Sequence, residues 1–199
     1  MLASVVTPLP AIGAIAASSF AVLAYLARTQ WTPHGRYGLA NAITAFRFVI
    51  VVLLSTLQSR PTLAFALALM VLLLDGVDGW QARRSQSCSA YGELFDQEVD
   101  AFFTLSLSLI LHHTGDFGVW ILIPGALRYA YLLHVGSRAG RPGARSHGPR
   151  WTRAAGAYTL GSLTVCLLPL GSARTLIGAA ATIVVTVSFL HSFRADRRR

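Results

Sequence analysis

A chain of 199 residues in which 54% are hydrophobic and 13% are charged, with a positive mean hydropathy, is neither an ordinary water-soluble domain nor a disordered polar segment. Its net charge of +9 comes from 17 basic residues, all arginine, set against eight acidic ones. Most of these arginines occupy short connections between apolar runs and the tail, which argues against a nucleic-acid-binding face and for membrane topology.

The first apolar run covers about residues 9–27 and has neither a basic leader nor a small-residue cleavage site, so it reads as a retained span with its amino end outside. Pro8 and Pro10 blur its start. Six further runs follow, at about 42–58, 61–79, 94–112, 117–136, 154–170 and 174–193. Each approaches the length of roughly 17 to 20 residues that a bilayer-spanning helix needs. Placing 80–92 and 137–153 in the cytoplasm collects Arg28, Arg36, Arg83, Arg84, Arg138, Arg141, Arg145, Arg150, Arg153, Arg194 and Arg197 to Arg199 on the inner side. Only Arg60 and Arg174 then remain outside, a strong positive-inside bias. Cys88 falls in a predicted cytoplasmic loop and Cys166 inside a span, so the two are not expected to pair. The histidines form no ligand spacing with the acidic residues, and the tryptophans fall mostly near predicted span ends.

Six of the eight acidic residues crowd into "LLLDGVDGWQARRSQSCSAYGELFDQEVDAFF", residues 72–103. On one helix, Asp75, Asp78, Gly79 and Ala82 share an arc of roughly 100°. On the next, Asp96 and Asp100 stand four apart and about 40° from one another. If the two helices are adjacent and antiparallel, four carboxylates converge near the cytoplasmic boundary. An aspartate near the centre of a membrane helix costs about 2.5 to 3.5 kcal/mol on insertion scales, so a cation must offset the cluster. Arg47, Arg83 and Arg84 are near in sequence. A carboxylate set without histidine or cysteine instead favours magnesium or manganese, and two ions about 4 Å apart suit four aspartates in a phosphoryl displacement. Gly79 and Ala82 either let helices approach closely or leave a slot for a pyrophosphate. A divalent-cation carrier is the rival from another class, although transport gives no reason for the adjoining Ala-Arg and Gly positions. Arg128, inside the fifth of the seven runs, is either a snorkelling arginine paired with an acid or a site for an acceptor's phosphate.

Read as a pattern, Asp75, Asp78, Gly79, Ala82, Arg83, Gly92, Asp96 and Asp100 resemble, without a gap, the signature of the CDP-alcohol phosphotransferases (CDP-alcohol phosphatidyltransferases). Upstream, "NAITAFR" is similar to the opening of that family's first core helix, at Asn41, Thr44 and Arg47. The resemblance implies an all-α integral membrane protein: a six-helix transmembrane core over residues 36–199, with residues 1–35 as an extra N-terminal span and connection. It implies a homodimer in the bilayer, with no nucleic-acid partner and an active site facing the cytoplasm. Such a compact core is typical of bacterial phosphatidyltransferases of the inner membrane.

Family likeness also assigns roles. Asp75 and Asp96 would bridge two Mg2+ or Mn2+ ions, Asp78 would complete the first site, and Asp100 would sit beside the second ion and serve as catalytic base. Gly79, Ala82 and Arg83 would hold the CDP donor, with Ser89, Gly92, Asn41 and Thr44 as further donor contacts; Arg128 is assigned to the acceptor on its buried charge alone. The implied reaction moves a phosphatidyl or other substituted phosphate group from a CDP-linked donor, foremost CDP-diacylglycerol, to an alcohol, releasing CMP. "GELFD" also resembles the choline and ethanolamine phosphotransferases, in which diacylglycerol is the acceptor.

Overall fold

The computed structural model describes residues 18, 38–57, 60–84, 90–136 and 150–197. Among these the chain is helical, without strands: α1 (Leu39–Ser55), α2 (Pro61–Arg84), α3 (Ala90–His113), a 3-10 turn (Val119–Leu122), α4 (Ile123–Gly136), α5 (Arg150–Val165) and α6 (Ala173–Arg197). Each helix coincides with one of the six apolar runs expected after the first. The expected N-terminal span, apart from Ser18, and the loop at 137–149 lie outside the described residues.

The helices stop where the backbone must turn. Gly115 takes φ 79° just past the end of α3, the left-handed conformation that suits glycine at a helix end. The fifth expected span, which begins at 117 in the sequence, opens instead as the 3-10 turn, and Pro124 in the first turn of α4 needs no amide partner.

Packing is organised around α3, which touches α1, α4, α5 and the 3-10 turn. Its carboxyl-terminal half is enclosed nearly all round, with Phe102, Phe103, Leu107, Ile110 and Leu111 all buried. Helix α1 packs along both α2 and α3, whereas those two make no extended direct contact among the described residues. The two aspartate-bearing helices, expected side by side, meet through the acidic side chains at one end, and α1 packs along both. Gly125 permits the close approach of α4 to α3, because a Cβ there would lie 2.9 Å from the Leu105 Cα.

Hydrophobic side chains also face outward. Leu39, Phe46, Val49 and Leu53 on α1, Leu73 and Val77 on α2, and Leu176, Ile183, Val187 and Leu190 on α6 are exposed. Apolar outer stripes opposite a partly polar interior reverse the arrangement of a water-soluble bundle. Only one described stretch, Ala173–Arg194, is long and apolar enough by itself to cross a membrane. Asn41–Ser55, Pro61–Val77 and Val119–Ala130 are apolar but shorter, so composition and length alone do not establish six spans.

Candidate active site

Each site residue continues a packing stripe. On α2 the buried positions Ala64, Ala68 and Val71 recur at helical spacing, and the next position on that face is Asp75. On α3 the face of Leu107 and Phe103 runs back through Asp100 and Asp96 to Gly92. On α1, Leu54 and Val51 lead back to Phe48, Arg47, Thr44 and Asn41, all buried. One end of each stripe is core and the other is polar. At 1.5 Å per residue, Arg47, Asp75, Asp96 and Asp100 lie about 9 to 15 Å from the start of α1, the end of α2 and the start of α3 respectively.

There the four side chains meet. Arg47 Nη1 is 2.6 Å from Asp96 Oδ1, and Nη2 is 2.8 Å from both Asp75 Oδ1 and Asp100 Oδ1. Arg47 is 1% exposed, while Asp75, Asp96 and Asp100 are 42%, 40% and 19% exposed. The guanidinium is thus a buried floor beneath carboxylates that open outward. A charge so enclosed is tolerable only with opposite charge and hydrogen bonds around it, and three carboxylates supply both. Arg128, from α4, approaches from the other side, with Nη2 3.6 Å from Asp100 Oδ2. Its Nε is buried and has no hydrogen-bond partner in the protein.

Asp75, Asp96 and Asp100 can each offer one oxygen such that all three lie within 4.8 Å of one another. An oxygen-only donor set of this size fits magnesium or manganese. Of the residues singled out from the sequence, the structure brings these three aspartates together with Arg128, places Asn41 and Thr44 on the Arg47 face of α1, and sets Gly92 one turn before Asp96. Helix α2 carries Asp78, Gly79, Ala82 and Arg83 on the turns after Asp75, but their side chains lie outside the described set, as does Ser89 altogether.

Of the arginines near the cluster in sequence, Arg47 is the one shown on the carboxylates. Its signal was present: an arginine within an apolar run, at helical spacing from Asn41 and Thr44, demands a buried acidic partner.

In comparison with protein families, residues 37–190 fit the family described as CDP-alcohol phosphatidyltransferase. That stretch contains every residue of the site. None of the curated proteins matches the chain.

Proposed function

The chain belongs to the CDP-alcohol phosphatidyltransferase family, membrane-embedded enzymes that transfer a phosphate-linked group from a CDP-alcohol, and from that premise we propose that it moves a phosphatidyl group from CDP-diacylglycerol to an alcohol hydroxyl. The observation that carries this reading is the acidic triad, three carboxylates from two helices with oxygens within 4.8 Å. Asp75, Asp96 and Asp100, with Asp78 on the same helix as Asp75, are the residues that would hold the divalent ions, Mg2+ or Mn2+. Two such ions, when bound, would offset the pyrophosphate's charge and make CMP a better leaving group.

The remaining work falls to the chain's own side chains. Arg83, with Gly79 and Ala82 leaving space beside it and Ser89, Gly92, Asn41 and Thr44 nearby in sequence or on the facing helix, would hold the CDP moiety in line with the incoming hydroxyl. Asp100 would take the hydroxyl proton. The acceptor oxygen then bonds to the phosphorus that bears the diacylglycerol, and the bond from that phosphorus to the CMP oxygen breaks. Arg128 stands 3.6 Å from the proposed base, so an acceptor whose phosphate pairs with this guanidinium would present its hydroxyl beside Asp100. A phosphorylated polar alcohol therefore fits better than an uncharged one.

We further assign the protein to a bacterial inner membrane as a homodimer, with the site facing the cytoplasm and the N-terminal run as an added span. The arginine-rich inner connections support this orientation. The deciding experiment incubates purified protein with magnesium and CDP-diacylglycerol, screens a panel of phosphorylated and uncharged alcohols, and identifies the lipid product by mass. Equimolar CMP and a new phospholipid support the proposal. Turnover only with CDP-choline or CDP-ethanolamine and diacylglycerol would reassign the donor, and no CMP from any pair would overturn the reading.

A further inference from the structure

Arg47 is the largest of the fully buried side chains in the described interior, at 1% exposure, yet it serves no step of the proposed chemistry. Its two terminal nitrogens reach three carboxylates on two different helices at 2.6 to 2.8 Å. Those helices, α2 and α3, lack an extended contact of their own, and α1 lies along both. The spacing between Asp75 on one side and Asp96 and Asp100 on the other is thus set across the Arg47 fork.

We infer that Arg47 is a positioning residue: a fixed cationic floor that holds the three carboxylates at the separation a divalent cation needs while leaving their outward oxygens free to bind it. This inference rests on the metal-dependent reading of the site. Three observations support it. First, Arg47 approaches each carboxylate through its Oδ1, which leaves the Oδ2 side of Asp75 and Asp96 turned to another cation, while Asp100 Oδ2 faces Arg128 at 3.6 Å. Second, Asp75 and Asp96 keep two-fifths of their side-chain surface open, on the side away from the buried guanidinium. Third, a planar guanidinium with rigidly directed donors can fix three acceptors at once, whereas the compact ammonium of lysine cannot hold the same fork.

The inference fixes the sign of an effect. If Arg47 only supplied positive charge, removing it would relieve repulsion of an incoming cation and tighten metal binding. If it positions the carboxylates, removing it lets them separate, and metal binding weakens despite the more negative site. The test is a Mn2+ titration of full-length protein in detergent without substrate, following the signal of free Mn2+ by electron paramagnetic resonance, for wild type, R47Q, R47K and D96N. Wild type binds and D96N weakens binding. R47Q and R47K each raise the Kd at least about fivefold, the lower end of ordinary coupling between sites. R47K retains both charge and bulk and so remains informative if R47Q does not fold. A Kd for R47K equal to or below that of wild type overturns the inference, as does tighter binding by R47Q. Wild type that binds no Mn2+, or D96N that binds as wild type does, instead strikes the metal-dependent reading itself.

Discussion

Asp100→Asn separates the proposed base from the scaffold that carries it. The amide has the shape of the carboxylate, and its oxygen can still accept from Arg47 Nη2, now at 2.8 Å from Asp100 Oδ1. Replacing this ion-pair hydrogen bond by one in which only the guanidinium is charged removes at most about 1.5 to 3 kcal/mol, and Arg47 keeps Asp75 and Asp96, so the helices remain packed. The chemical step loses its proton acceptor. Loss of a positioned general base slows a reaction by about 10²- to 10⁴-fold, or roughly 2.7 to 5.4 kcal/mol of barrier at about 1.36 kcal/mol per decade. The assay is steady-state CMP release at saturating magnesium, with kcat and the donor KM fitted separately. The expected result is a kcat lowered by about 10² or more with donor KM changed by no more than about threefold, the signature of an interaction made in the transition state. A kcat within tenfold of wild type would refute the base assignment. So would recovery of rate on raising magnesium, since that would place the defect in metal loading.

Arg128→Ala should raise the KM for a phosphorylated acceptor by about ten- to a hundredfold, the equivalent of one lost charge-assisted contact, while the donor KM stays near wild type; the reverse pattern would remove Arg128 from the acceptor site. Gly125→Ala places a Cβ 2.9 Å from the Leu105 backbone, which cannot yield as a flexible side chain would. The helices α3 and α4 must separate, at about 1 to 3 kcal/mol, and a lowered thermal midpoint in detergent checks it. Asp116→Asn, which breaks the 2.6 Å pair with Arg174, should cost less than about 1 kcal/mol because Asp116 is more than half exposed; a larger loss of thermal stability would give that outer clasp a structural role.

Helix positions were legible because long apolar runs are bounded by glycine, proline and arginine; all six described helices overlap their expected runs, although their ends shift by several residues, as where the run from 117 opens as a 3-10 turn and α5 ends at Val165. The aspartate face was legible for a related reason: periodicity states which residues share a side of a helix. Periodicity does not state which helix that side meets. The sequence pairs the Asp75 helix with the Asp96 helix because they are consecutive, yet α1 is the helix packed along both. The same ignorance of neighbours left Arg47 as one of three candidate cations, since nothing local reveals that an arginine 28 residues before Asp75 and 53 before Asp100 will reach both. Composition reads six spans, of which length and hydropathy single out one among the described residues, and the reason lies in how the site is made.

The site costs these helices their hydropathy. Along α1, α2 and α3 the stripe that packs the core at one end becomes the polar lining at the other, so roughly a third of each helix trades apolar side chains for Asn41, Thr44 and Arg47, for Asp75 and Asp78, or for Asp96, Glu98 and Asp100. The apolar portions that remain on the first two, Asn41–Ser55 and Pro61–Val77, fall short of a full span. Among the described helices α6, which gives no residue to the acidic site, is the one long and apolar enough to cross a membrane. Building the carboxylates into packed stripes, and not onto loops, lets the buried side chains one turn away fix their rotamers. Precision at the acidic cluster and weak single-helix hydropathy are then two consequences of one placement.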